Sequence, residues 1–141
     1  MLNMPNNSDV NPCAGAKNVC LVIEDNQPFR EILTIYLQRH GIGAEQAGDG
    51  ETGLLLYLAN PDKYCAVLLD MQLPGMNGFE VLAHIRQSSK AGAKTIPIIA
   101  MTGSLLSDEK NEFAFSALLR KPFDLQELIT AIEKLVTCHG G

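Results

Sequence analysis

A handful of side chains in this sequence are of the right types and spacing to do chemistry together. Glu24 and Asp25 form an acid pair behind the apolar run Val19-Cys20-Leu21-Val22-Ile23. Asp70 closes the run Ala66-Val67-Leu68-Leu69, and Thr102 closes Ile96-Pro97-Ile98-Ile99-Ala100-Met101. Lys121 comes shortly after Ala117-Leu118-Leu119. Each sits just past a segment that reads as a strand. Two carboxylates about 5 Å apart repel by about 3 kcal/mol at an effective dielectric of 20, so three brought together need a cation. Hard oxygens from carboxylates and carbonyls suit Mg²⁺, which keeps several waters and accepts a phosphate oxygen. Lys121 supplies a mobile point charge for Asp70 or for an incoming phosphoryl group, and Thr102 supplies a hydroxyl donor. A carboxylate can itself be the nucleophile that takes phosphate as an acyl phosphate. If assembled, the set is a Mg²⁺-dependent phosphoryl acceptor that works by positioning and charge neutralisation.

The elements that must assemble it follow from periodicity. The runs at 19–23, 66–69 and 96–101 are too short for buried helices and rich in β-branched residues, as in strands buried on both faces. Between them lie helical segments. Gln27 to His40 carries Ile32, Leu33, Tyr36 and Leu37 at helical spacing, with Pro28 in the first turn and Gly41 as a stop. Gly50 to Ala59 carries Leu54, Leu55 and Leu58 and ends at Asn60-Pro61. A third helix opens at Asn77 or Gly78 and runs through Phe79, Val81, Leu82 and Ile85. A short helix is expected over Ser107 to Phe113. The last begins at Asp124-Leu125-Gln126-Glu127, a capping-box-like start. Ile42 to Ala47 and Ala117 to Leu119 complete the strands. Strand–helix alternation, five times over, implies an α/β fold with a parallel sheet and helices on both faces. Ligands of such sheets sit beyond the carboxyl ends of the strands, which is where the acids, Thr102 and Lys121 fall.

Bulk properties narrow the function classes. The 141 residues are 46% hydrophobic and 19% charged, a mixture suited to one packed domain. A net charge of −5 argues against direct binding of nucleic acid. No apolar run reaches membrane-helix length, and a secretory signal pattern is lacking. A cytoplasmic location without membrane contact is the expectation. Cys20 and Cys65 read as small buried hydrophobes, no two cysteines form a Cys-x-x-Cys motif, and His40, His84 and His139 are too scattered for a histidine metal site. Residues 1–18 read as a flexible leader, 19–138 as the domain and 139–141 as a tail.

From about residue 19 to 136 the chain resembles the receiver domains of two-component response regulators. The most specific stretch is Asp70-Met71-Gln72-Leu73-Pro74-Gly75-Met76-Asn77-Gly78-Phe79-Glu80-Val81-Leu82. Glu24-Asp25, Met101-Thr102-Gly103 and Lys121-Pro122-Phe123 match in order. The resemblance implies a flavodoxin-like, doubly wound, five-stranded sheet in the order 2-1-3-4-5. It also implies that Asp70 is the phosphoacceptor, and that Asp25, Asp70 and the backbone carbonyl of Gln72 hold Mg²⁺, with Glu24 assisting. Thr102 and Lys121 would bind the phosphoryl oxygens, and Lys121-Pro122 would be a cis peptide. The implied donor is a sensor histidine kinase or a phosphotransfer protein, and the output is altered binding of an unknown downstream protein. The chain would be no enzyme beyond assisting its own phosphotransfer and dephosphorylation.

Departures from the pattern cluster on one edge. The aromatic usual three positions before the lysine is Leu118 here. The segment from Thr102 to Lys121 is a few residues short, and Phe113 and Phe115 are the nearby aromatics. Leu105 and Leu106 form an apolar pair whose default role is packing. These features motivate an alternative, a phosphate-independent docking module. A Mg²⁺-dependent phosphohydrolase is a weaker alternative, because it wants a second Asp two positions after the first, and Gln72 stands there.

Overall fold

The structure, a computed structural model, describes residues 18–103 and 115–140. Residues 1–17 of the expected leader, the helix over Ser107 to Phe113, Leu105, Leu106 and Phe113 lie outside the described residues. In chain order the elements are β1 (Val19–Ile23), α1 (Gln27–Arg39), β2 (Gly43–Ala47), α2 (Gly50–Ala59), a 3-10 turn over Pro61–Lys63, β3 (Tyr64–Asp70), α3 (Gly78–Gln87), β4 (Ile98–Thr102), β5 (Ala117–Arg120) and α4 (Leu125–Gly140). The strands form one sheet in the order β2-β1-β3-β4-β5, and every pairing is parallel. The chain steps from β1 outward to β2 and then back across β1 to β3. A crevice therefore opens beyond the carboxyl ends of β1 and β3.

Alternate residues of each central strand serve opposite layers. Leu21, Ile23, Val67, Leu69, Ile98 and Ala100 pack with Leu54 and Tyr57 of α2 and Val81, Leu82 and Ile85 of α3. Cys20, Val22, Ala66, Leu68, Ile99 and Met101 pack with Leu33 and Leu37 of α1 and Leu128, Ile129, Ile132 and Val136 of α4. This two-sided burial is why β1, β3 and β4 are apolar without alternation. All seven residues of β3 are buried.

Most boundaries agree with the sequence reading, and the differences have local causes. β3 begins two residues earlier than its apolar core, at Tyr64, whose hydroxyl donates to Glu45 of β2. β4 begins only after Pro97, which has no N–H to give the ladder, although its carbonyl still accepts from Val67 N–H at 2.9 Å. At the start of α4 the Asp124 carboxylate accepts from Gln126 N–H at 3.0 Å. A reciprocal capping box stands instead at α3. There Asn77 Oδ1 accepts from Glu80 N–H and Glu80 Oε1 accepts from Asn77 N–H. Cys20 is a free, fully buried thiol whose pKa burial pushes up to about 12. Cys65 is buried as expected but disulfide-bonded, a correction. Apolar neighbours reveal burial, not which sulfurs meet.

Candidate functional site

The sheet itself carries the site residues. Ladder-type bonds continue past the strand ends: Glu24 N–H donates to Ala47 O (3.1 Å), Met71 N–H to Met101 O (2.9 Å) and Lys121 N–H to Thr102 O (2.6 Å). The residues that follow β1, β3 and β5 are thus held by the same kind of backbone bond as the strands. Asn26 caps α1 by accepting from Phe29 N–H at 2.9 Å, with Pro28 in the first turn. Arg30 then reaches back, donating to the Glu24 carbonyl at 2.8 Å and to Gln46 Oε1 at 2.9 Å. On the other flank, Gly75 turns the loop at φ +70°. Gly78 lets α3 start against the end of β3, because a Cβ there would lie 2.6 Å from the Asp70 carbonyl oxygen and 2.9 Å from Met71 Sδ.

At this edge Glu24, Asp25 and Asp70 each present an oxygen within 4.8 Å of the others. Glu24 and Asp70 are buried, at 1% and 3% exposure, and Asp25 is exposed. Lys121 Nζ lies 2.9 Å from Glu24 Oε1 and 3.3 Å from Asp70 Oδ2. The second oxygen of Glu24 accepts from Asn26 N–H at 3.0 Å, and Asp70 Oδ1 accepts from Gln72 N–H at 2.9 Å. Burial pushes the Glu24 carboxyl up, its bonds from Lys121 and Asn26 pull it part of the way back, and the Asp70 charge adds to the rise. Burial works to lower the Lys121 amine, but the Glu24 and Asp70 carboxylates outweigh it and hold the amine protonated. Three carboxylates against one ammonium leave two negative charges uncompensated within the cluster. Oxygens only, partly desolvated, with one exposed acid as the entry point, are the donor set that a hard divalent cation prefers.

Thr102 is fully buried at the end of β4. The parallel register pairs Asp70 with Met101, which sets Thr102 one residue further along the same edge. The Lys121-Pro122 peptide is cis. Beyond the amine opens a cleft of about 380 Å³ lined by Asn26, Phe29, Lys121, Pro122 and Phe123. The Phe29 and Phe123 rings meet edge to face at 5.9 Å, and Lys121 Nζ stands 5.1 Å from the Phe29 ring centre. Leu118 and Phe115 are part-buried and pack on the α2/α3 side.

Comparison with known proteins identifies this arrangement. Residues 20–133 match the response regulator receiver domain. The chain belongs to that family. It is 34% identical over 122 residues to the transcriptional regulatory protein HprR of Escherichia coli, covering 84% of this chain and 52% of that protein. It is also 31% identical over 125 residues, 85% of its own length, to the peroxide stress-activated histidine kinase mak3 of Schizosaccharomyces pombe, of which the match spans 5%. Among solved structures, the receiver domain of the sensor histidine kinase PA1611 from Pseudomonas aeruginosa superposes with a TM-score of 0.75 at 26% identity, covering 86% of this chain and 98% of that one. That structure carries a magnesium ion coordinated in its active-site cleft. The receiver spans about half the length of HprR and only a small part of mak3. Among the described residues no helix is long and apolar enough to cross a membrane.

Of the residues singled out in the sequence, Glu24, Asp25, Asp70 and Lys121 meet in one cluster and Thr102 stands at the end of the neighbouring strand, while the residues that support them were missed. Asn26 was legible in principle, since Asn followed by Gln-Pro is a helix-start signal. Arg30, Phe29 and the side chain of Gln72 carry no local signal, because their partners Gln46, Phe123 and Gly103 lie far away in the chain.

Proposed function

We propose that this receiver takes a phosphoryl group onto Asp70 from a phosphorylated histidine of a sensor kinase or phosphotransfer protein. The observation that carries the reading is the meeting of Asp70 Oδ2 with the Lys121 ammonium inside a cluster that holds two further carboxylates. Asp25, Asp70 and the Gln72 carbonyl would hold Mg²⁺, with Glu24 assisting from behind. When bound, the ion neutralises charge on the phosphoryl oxygens. An Asp70 carboxylate oxygen forms the new O–P bond as the N–P bond to the donor imidazole breaks, and the leaving imidazole takes up a proton. Lys121 and the Thr102 hydroxyl bind the phosphoryl oxygens, and the cleft at Phe29 and Phe123 admits the donor. The same residues assist later hydrolysis of the acyl phosphate, so the receiver contributes to its own transfer and dephosphorylation. The receiver unit runs over 19–138, works in the cytoplasm, and alters binding of a downstream protein. Its net charge of −5 argues against direct binding of nucleic acid by this segment.

Incubation with Mg²⁺ and acetyl phosphate, followed by intact-mass measurement, tests this reading. A single hydroxylamine-labile phosphoryl adduct that disappears in Asp70→Asn is the expected result. A folded protein that binds Mg²⁺ and gains no adduct overturns it. That second outcome would favour a phosphate-independent docking module, the reading motivated by Leu118.

A further inference from the structure

Gln72 touches the phosphoacceptor region twice. Its backbone N–H donates to Asp70 Oδ1 at 2.9 Å. Its side-chain Oε1 accepts from Gly103 N–H at 3.0 Å. The sheet makes the second bond reachable: Asp70 pairs with Met101 in parallel register, so two residues beyond Asp70 lies opposite two residues beyond Met101. Both residues are exposed, so the bond is not a by-product of core packing. It is a cross-strand tie made by a side chain, one step beyond the backbone bond from Met71 N–H to Met101 O.

We propose that Gln72 is a positioning residue that ties the state of the Asp70 carboxylate to the backbone at the end of β4. One residue thereby reads Asp70 through its main chain and holds Gly103 through its side chain. Thr102 immediately precedes Gly103 in the chain, with its carbonyl held by Lys121 N–H at 2.6 Å. Any change in charge or bulk on Asp70 Oδ1 is felt by the Gln72 peptide. It passes through the hydrogen-bonded Gln72 side chain to Gly103, with no aromatic side chain in the path. This matters here because position 118 is Leu, which has no polar tip to exchange partners. The inference rests on Asp70 being the modified residue.

Amide exchange and chemical shift at Gly103, followed by NMR with Mg²⁺ and beryllofluoride as the phosphoryl mimic, test the tie. Gln72→Met keeps the length and removes the acceptor, and Gln72→Glu keeps the acceptor. Loss of one such bond speeds exchange of the Gly103 amide roughly fivefold in Gln72→Met, with β3 and β4 amides unchanged, and Gln72→Glu restores protection. Beryllofluoride shifts both the Met71 and Gly103 resonances in the native chain. In Gln72→Met the shift at Met71 survives and that at Gly103 falls by at least about half. Equal Gly103 exchange in all three proteins, or an undiminished Gly103 shift in Gln72→Met, overturns the proposal. No shift at Met71 in the native chain would sink the phosphoacceptor reading instead, so the two failures are distinguishable.

Discussion

Two acid–amine clusters sit on the same sheet and do different jobs. Glu45, in β2, accepts from the Tyr64 hydroxyl and from Lys63 Nζ at 2.9 Å. One carboxylate there meets one ammonium and one phenol, and the charges balance. Beyond the ends of β1, β3 and β5, three carboxylates meet one ammonium, and two of the three are buried. A balanced cluster needs nothing further and serves as a brace between β2 and β3. A cluster with surplus charge costs the fold stability until something positive arrives. That imbalance, more than the presence of acids, separates a candidate binding site from a brace.

The contrast is open to direct attack. The largest effect expected is metal-dependent. At about 100 times its dissociation constant, Mg²⁺ should stabilise the receiver by about 2.7 kcal/mol, as read from urea unfolding with and without the ion. Glu45→Gln should respond equally, and an Asp25→Asn/Asp70→Asn double variant should not respond. Next comes Gly78→Ala, whose added Cβ meets the Asp70 carbonyl and Met71. It should cost about 1–3 kcal/mol and weaken the Mg²⁺ response, because the end of β3 must shift. Single neutralisations should then differ in sign. Without metal, Asp70→Asn raises stability by about 1 kcal/mol by relieving repulsion, and Glu45→Gln lowers it by about as much. Equal signs would dissolve the distinction. The smallest effect is in pH. The Tyr64 hydroxyl first, and Lys63 second, hold the Glu45 carboxyl below the ordinary range. Its stabilisation is therefore present above the unfolded value of about 4.3 and lost as pH falls through the folded value. The gap between the native chain and Glu45→Gln should close on acidification.

Sequence legibility follows the range of the interactions involved. β1, β3 and β4 announce themselves because burial on both faces demands continuous apolar runs, and the site residues follow because they lie next to those runs. α2 begins and ends at the residues expected, Gly50 and Ala59. Tyr64 escaped the strand reading because its strand partner, Val19, and the acceptor of its hydroxyl, Glu45, both lie far away in the chain. The Asn77–Glu80 capping box was readable from spacing alone but was not singled out. The sequence pairs Lys121 with Asp70; the structure adds Glu24, and at the shorter distance. Strand order decides that contact, and no local pattern encodes it. Gln72 was read for its carbonyl, whereas its side chain makes the longer-range bond.

The most direct test asks which carboxylate is modified. After treatment with Mg²⁺ and acetyl phosphate, borohydride reduces an aspartyl phosphate to homoserine, and peptide mass mapping locates the altered residue. Reduction at position 70 alone is predicted. Reduction at Asp25 or elsewhere, or none in a protein that binds Mg²⁺, would contradict the assignment of Asp70 as the acceptor.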